Sequence, residues 1–334
     1  MAYSALNAYQ RGGTAANGKP SFTVDQAAVQ LTRAGLSWSA SPGTATTVTY
    51  AFRATAPETM PSDIGGFQQP VLQQYTYVRQ AFALWSRVAN ITFVQVGSGD
   101  GPDPRAYSND ATILIGNYTT GGEGTAALAV LPGDRAAASQ TGDIWFNGNL
   151  SANRYVTGPG SYGFLTAMHE IGHAIGLTHP GDYDTEDADD LTYARDARYH
   201  EDSLEYSIMS YFDLEDTGGS IGRAGYYPTT PLIDDIAAIQ RLYGANMSTN
   251  AGNTLYGPNP DSSHAPGATW DDLGSRSGPV WTTIWDGGGI DTIDFSSSSA
   301  TARIDLRPGS AARDAAQFAR LAAARLRRRQ VGIG

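Results

Sequence analysis

The sequence predicts an α+β protein, and three observations carry that assignment. Two stretches space their apolar residues at helical intervals, several short β-branched runs lie around them, and the composition changes abruptly after Asn246. The elements can be taken in chain order.

Residues 1 to 20 are rich in Gly, Ala and Asn without periodicity and are expected to be mobile. Asp25 to Arg33 carries Ala27, Ala28 and Leu31 on one side and reads as a short helix. Thr47 to Phe52 alternates like a strand. Pro70 to Val88 spaces Val71, Tyr75, Val78, Phe82 and Trp85 by four, three, four and three, which is one amphipathic helix with a core-facing stripe. Ile91 to Val96 and Thr112 to Ile115 are β-branched runs, and Ala126 to Leu131 and Gly142 to Phe146 complete a sheet. Ser161 is placed to cap a helix that reaches Ile175 and buries Phe164, Leu165, Met168 and Ile171 against that sheet. Pro231 and Asp234 open a last helix, which Gly244 ends. Beyond Asn246 the chain turns to Gly, Ser, Pro and Asp, which marks a domain boundary.

Composition narrows the function. At 334 residues, 41% hydrophobic and 16% charged, the chain is long enough for a well-buried core. A net charge of −11 argues against a nucleic-acid partner. No apolar run approaches the eighteen or so residues of a membrane span, so no membrane insertion is expected. The start, Met1-Ala2-Tyr3-Ser4-Ala5-Leu6, lacks a basic region followed by an apolar one, which leaves ordinary signal-peptide export unsupported. With no cysteine there is no disulfide scaffold, and added stability must come from packing or bound metal. A monomer is expected.

The chemistry concentrates in His169-Glu170-Ile171-Gly172-His173-Ala174-Ile175-Gly176-Leu177-Thr178-His179, which holds three of the five histidines. Residues four apart share a helix face, so His169 and His173 offer two imidazoles to one point. Glu170 stands beside that face, where its carboxylate can take a proton from an attacking water and pass it to a leaving amine. Gly176 can adopt the left-handed backbone that ends a helix, which lets His179 return as third ligand of a Zn²⁺ ion. Three protein ligands leave a fourth position open, the mark of a catalytic rather than a closed site. Glu170 argues against a metal site without chemistry, which has no need of a general base.

This motif, followed by Ser207-Ile208-Met209-Ser210-Tyr211-Phe212, resembles the metzincins, whose zinc helix is succeeded by a methionine-containing turn. The resemblance implies a mixed twisted sheet, with Met209 as an apolar platform under the metal. It also implies that Tyr211 ligates the resting zinc and later stabilises the oxyanion. His179-Pro180-Gly181-Asp182-Tyr183, Gly142 to Asn147, Asp235 to Asn246 and Trp285 to Phe295 are similar to the serralysins, the secreted bacterial branch. Astacins are disfavoured because they carry disulfides. From the serralysin likeness follow an endopeptidase acting on protein substrates, a removable propeptide within residues 1–20, and a catalytic domain over 21–247. Ala127, Leu128 and Ala129, within Thr125 to Leu131, would form the edge strand on which an extended peptide pairs.

The same likeness implies the beginning of a calcium-binding parallel β-roll over 248–306. There Asn250, Gly252, Thr254, Asp286, Gly288 and Asp291 would share a Ca²⁺ ion. Export would use a route independent of a signal peptide and directed by the C-terminus, yet no such signal is evident. Residues 307–334 form an Ala- and Arg-rich tail instead. Eight of the 22 basic residues but only Asp305 and Asp314 of the 33 acidic ones lie beyond Ala302, which leaves the first 302 residues at −17. The tail reads as a prematurely ended or frameshifted roll, or else as a short amphipathic helix, so the roll is partial. The acidic stretch Asp182 to Glu205, with ten Asp or Glu residues, reads as a solvated loop, with a calcium site or a charged rim on the cleft as the other reading. His200 within it reads as a surface histidine, with a fourth zinc ligand as the lesser reading. A second functional reading is a catalytically silent surface or interaction protein that depends on zinc and calcium.

Overall fold

The computed structural model describes residues 6–97, 107–134, 140–183, 190–219, 225–256, 281–293, 307–309, 311–313 and 318–323. The expectations for residues 1–5, for acidic residues 184–189, for most of the roll segment and for the end of the tail fall outside these residues.

Helix α1 spans Val24–Leu31. Thr23 caps it: its hydroxyl accepts from the Gln26 backbone N–H at 3.2 Å, and the Gln26 side chain returns the contact to the Thr23 N–H at 2.9 Å. Strand β1 is Thr46–Phe52 and β2 is Ile64–Gly65. Helix α2, Leu72–Val88, buries Tyr75, Val78, Phe82 and Trp85 as the spacing demands, while Val71 serves as its cap residue outside the helix. There follow β3 (Ile91–Gln95), β4 (Ile113–Tyr118), β5 (Thr120–Gly121), β6 (Ala127–Ala129) and β7 (Ile144–Asn147). Helices α3 (Ser151–Arg154), α4 (Tyr162–Ala174), α5 (Tyr193–Asp196) and α6 (Ile233–Tyr243) complete this part.

The main sheet runs β3-β1-β4-β7-β6. Its first four strands are parallel, and β6 closes one edge antiparallel to β7, pairing Ala127 with Phe146 and Ala129 with Ile144. The sheet is therefore mixed, and its edge is a strand of three residues. Helices α2 and α4 cover one face. Trp85, in the last turn of α2, is fully buried and donates from its ring nitrogen to the Met168 carbonyl in the middle of α4 at 3.1 Å, which locks the two helices together.

Beyond α6 lie β8 (Leu255–Tyr256), β9 (Trp281–Asp286), β10 (Thr292–Ile293), β11 (Ala311–Arg313) and β12 (Phe318–Ala323). Trp281 and Trp285 of β9 enter the same hydrophobic cluster as α2, α4 and α6. Over 318–323 the tail is a strand, parallel to β9, rather than a helix.

Three expectations fail because polar and charged side chains find buried partners in the fold, some distant in sequence and some near. The stretch preceding α1 is anchored, not mobile, over its described part: Arg11 is buried and its guanidinium grips both oxygens of Asp234, at 2.7 and 2.8 Å, 223 residues away. The acidic stretch is not uniformly solvated, since Glu201, Asp202 and Glu205 have no exposed surface. His200 is buried as well, its ring 3.4 Å from the Tyr193 hydroxyl.

Candidate zinc centre

Helix α4 carries the first half of the site. Ser161 caps it by accepting from the Phe164 N–H at 3.3 Å, and Phe164, Leu165, Met168 and Ile171 are buried as expected. That packing fixes the rotation of the helix and so turns His169 and His173 toward one cleft. The helix must stop before His179. Gly176 makes the turn with φ +110°, where its Leu177 neighbour donates back to the Gly172 carbonyl at 2.9 Å. A Cβ at position 176 would lie 2.3 Å from the Leu36 carbonyl oxygen, so both backbone angle and space demand glycine.

The three imidazoles converge. His173 Nε2 lies 3.0 Å from the Nε2 atoms of both His169 and His179, and these two are 3.2 Å apart. Each opposite ring nitrogen faces a backbone carbonyl: His169 Nδ1 meets Ile208 O at 2.7 Å, His173 Nδ1 meets Leu177 O at 2.8 Å and His179 Nδ1 meets Tyr183 O at 2.7 Å. A carbonyl only accepts, so every Nδ1 carries the proton and every Nε2 presents a lone pair to its neighbours. Three lone pairs aimed at one point have no proton to share and call for a cation. A triangle of this size suits three nitrogen ligands about 2.0 Å from one Zn²⁺ ion, which His169, His173 and His179 would hold.

Electrostatics agree with this donor set. Burial pulls the His169 imidazole down to about 4 and that of His179 to about 3, and it holds His173 well below the usual histidine range. All three are therefore neutral ligands at physiological pH. Among the described residues these three form the one group of His, Asp or Glu side chains close enough to hold a metal.

Glu170 is 6% exposed and lines the same cleft of about 360 Å³ as His169, Tyr211, Tyr162 and residues 124–127 ahead of and within β6. Burial pushes its carboxyl up to about 8, and a cation held by the neighbouring rings would draw it back toward the ionised form. Burial first, and Glu170 second, hold the Tyr118 phenol near 12, and its hydroxyl donates to the Thr125 carbonyl at 2.8 Å, just before β6. Tyr211 lies with its ring 4.5 Å from the His179 ring and 5.8 Å from that of His169. Met209 is fully buried under the zinc helix, its sulfur 2.6 Å from where a Cβ on Gly172 would stand. Of the edge-strand residues, Ala127 lines the cleft, and Leu128 and Ala129 continue the open strand away from it.

Two supports went unread in the sequence. Asp235 is fully buried and accepts from Ser207 Oγ, Ile208 N and Leu232 N at 2.6, 2.8 and 2.7 Å, which pins the methionine turn. Asp202 accepts from the Tyr183 hydroxyl and from Ser210 Oγ, both at 2.7 Å, and so joins the anchor of His179 to the turn bearing Tyr211. Asp235 stood in a motif noted only for its helix, and Asp202 in a stretch whose acidity suggested solvent.

The comparisons with known proteins fit this geometry. Residues 43–189 match the Matrixin family model and residues 245–315 the model for the Peptidase M10 serralysin C terminal. Metalloprotease AprA of Pseudomonas entomophila (strain L48) is 41% identical over 303 residues, 89% of this chain and 59% of that protein. The chain belongs to the serralysin-like metzincins. Metallopeptidase AprA of Pseudomonas marginalis is 40% identical over 92% of the chain and 64% of its own length, and Serralysin C of Dickeya chrysanthemi 40% over 92% and 61%. This serralysin-like chain thus spans about three fifths of the length of these curated relatives.

The segments quoted for calcium also meet. The Gly287 N–H donates to the Thr249 carbonyl at 2.8 Å, the Thr254 N–H to Asp291 Oδ1 at 2.9 Å, and β8 pairs parallel with β10. Asn250 takes φ +50° in the turn, Thr254 Oγ1 donates to the Gly252 carbonyl at 3.2 Å, and Gly288 N donates to Asp286 Oδ1 at 2.8 Å. Among the described residues, Asp291 Oδ2 is buried and meets no hydrogen-bond donor.

Proposed function

We propose that the chain is a zinc-dependent endopeptidase that hydrolyses internal peptide bonds of protein substrates. The observation that carries the reading is the convergence of three proton-free Nε2 atoms, one of them on His169, which lines the same cleft as Glu170. Zn²⁺, when bound by His169, His173 and His179, supplies Lewis-acid polarisation of the scissile carbonyl and activates water. Glu170 takes the proton of the attacking water and delivers it to the leaving amine nitrogen. The Tyr211 phenol donates a hydrogen bond to the developing oxyanion. Ala127, Leu128 and Ala129 pair with the substrate backbone in an extended conformation, which accepts many side chains. Met209 keeps an apolar floor beneath the rings.

The same reading extends to calcium and location. Asp286 and Asp291, with Asn250, Gly252, Thr254 and Gly288, would hold a structural Ca²⁺, and the orphaned oxygen of Asp291 supports it. The protein would act outside the cell, as the serralysin likeness suggests.

Casein zymography with added Zn²⁺ and Ca²⁺ tests the activity. The parent should clear the gel, and Glu170→Ala should retain zinc while losing about 10² to 10⁴ in rate. A zinc-loaded parent that leaves casein intact would favour the catalytically silent metal-dependent interaction protein.

A further inference from the structure

The guanidinium of Arg11 lies in a sealed site. Its Nη atoms fork onto Asp234 at 2.7 and 2.8 Å, Nε donates to the Phe22 carbonyl at 2.8 Å, and Glu201 stands 3.6 Å from Nε. The side chains of all three charged residues are fully buried, and the Tyr206 ring lies 5.1 Å below the guanidinium carbon. Glu201 itself accepts from Ser21 Oγ on one oxygen and from the Phe22 N–H on the other, so the N-terminal segment supplies both the cation and donors to the carboxylate beside it.

What this clamp holds leads to the metal centre. Asp234 is the second residue of α6, and its N–H donates to the Tyr206 carbonyl at 3.1 Å, immediately before the methionine turn. The next residue, Asp235, fixes that turn through Ser207 and the Ile208 N–H. The Ile208 carbonyl in turn accepts from His169 Nδ1 at 2.7 Å and so sets the plane of that imidazole. Three successive contacts, joined by the peptide bond between Asp234 and Asp235, therefore connect the N-terminal segment to a ligand ring.

We infer that Arg11 is a positioning residue of the metal centre: its fork on Asp234 seats the start of α6, and through Asp235 and Ile208 that seat holds His169 in its ligating orientation. Outer contacts of this kind tune metal affinity without touching the metal. A guanidinium is required because only its planar fork meets both carboxylate oxygens at once. The inference rests on the zinc reading above.

The test uses the full chain and reads metal binding rather than turnover. Zinc affinity is measured by competition with a chromophoric chelator, and the visible d–d spectrum is recorded with Co²⁺ in place of zinc. Arg11→Ala should weaken zinc binding by about tenfold or more and shift the Co²⁺ bands. Arg11→Lys, which keeps the charge without the fork, should fall between it and the parent, and added ethylguanidinium should restore Arg11→Ala. A folded Arg11→Ala with parental zinc affinity and parental Co²⁺ bands, lowered only in melting temperature, would overturn the inference and leave Arg11 a stability device. Should Arg11→Ala not fold, Arg11→Lys decides by the same readings: parental affinity and bands overturn the inference. A parent that binds neither metal would instead refute the zinc reading itself, which keeps the two failures apart.

Discussion

His169 Nδ1 donates to the carbonyl of Ile208, 39 residues on, at 2.7 Å, so the orientation of a candidate metal ligand is set by the turn that precedes Met209 rather than by the helix alone. The turn is held in place by Asp235.

Asp235→Ala should therefore damage metal binding as well as stability. Removing the carboxylate leaves two buried backbone N–H groups and the Ser207 hydroxyl without their acceptor, each costing about 1–3 kcal/mol. Chemical denaturation should show a loss of several kcal/mol, on the order of 3 to 5, and zinc titration should show a parallel loss of affinity. Unchanged zinc affinity in a folded Asp235→Ala would separate the turn from the ligand.

Gly176→Ala should be more harmful than its size suggests. The new methyl would stand 2.3 Å from the Leu36 carbonyl oxygen on a backbone with φ +110°. Relief requires the chain to move just before His179. Loss of more than about 2 kcal/mol in stability, with weakened zinc binding, is the expected result of thermal melts and metal titration.

Acid should destabilise the metal-free fold through its imidazoles. The His169 ring falls from near 6.5 in the unfolded chain to about 4 when folded, so below pH 6.5 the unfolded chain binds the extra proton. This contribution is complete above pH 6.5 and drains as the pH drops toward 4, with about 2 kcal/mol gone at pH 5. Chelator-treated parent should lose more melting temperature between pH 7.5 and pH 5 than a His169→Asn variant treated identically. Parallel curves would show that the ring is not held neutral by burial.

Asp202 distinguishes shape from charge. Its Oδ1 takes both the Tyr183 and the Ser210 hydroxyls, and an amide oxygen could do the same. Asp202→Asn should retain most zinc affinity and proteolytic rate, whereas Asp202→Ala should lose about tenfold in affinity as the anchor of His179 loosens. Equal behaviour of the two variants would mean that Asp202 orients neither.

What could be read in advance was what local spacing encodes. The four-residue interval of His169 and His173, the glycine before His179 and the stripe from Tyr75 to Trp85 are properties of a helix, and each lies where its period puts it. Strand limits shifted by one to three residues because ladder ends depend on partners, as at β6, which shortens to Ala127–Ala129 where its pairing to β7 ends. Arg11 and Glu201 escaped notice for a different reason. A charged residue in a Gly- and Ala-rich or acidic stretch looks solvated until its counter-charge is known, and theirs lie on segments some two hundred residues distant.

The carbonyls that steer the three imidazoles belong to separate places: the loop closing α4 (Leu177), the segment beyond it (Tyr183) and the turn before Met209 (Ile208). A single cation drawing the rings together would hence rivet three stretches of backbone at one spot, the service a disulfide performs in many small folds, in a polypeptide with no thiol to offer. Chelation should then slacken all three stretches at once rather than expose one loop, and the ion would serve as a fastener of the whole domain as much as a reagent.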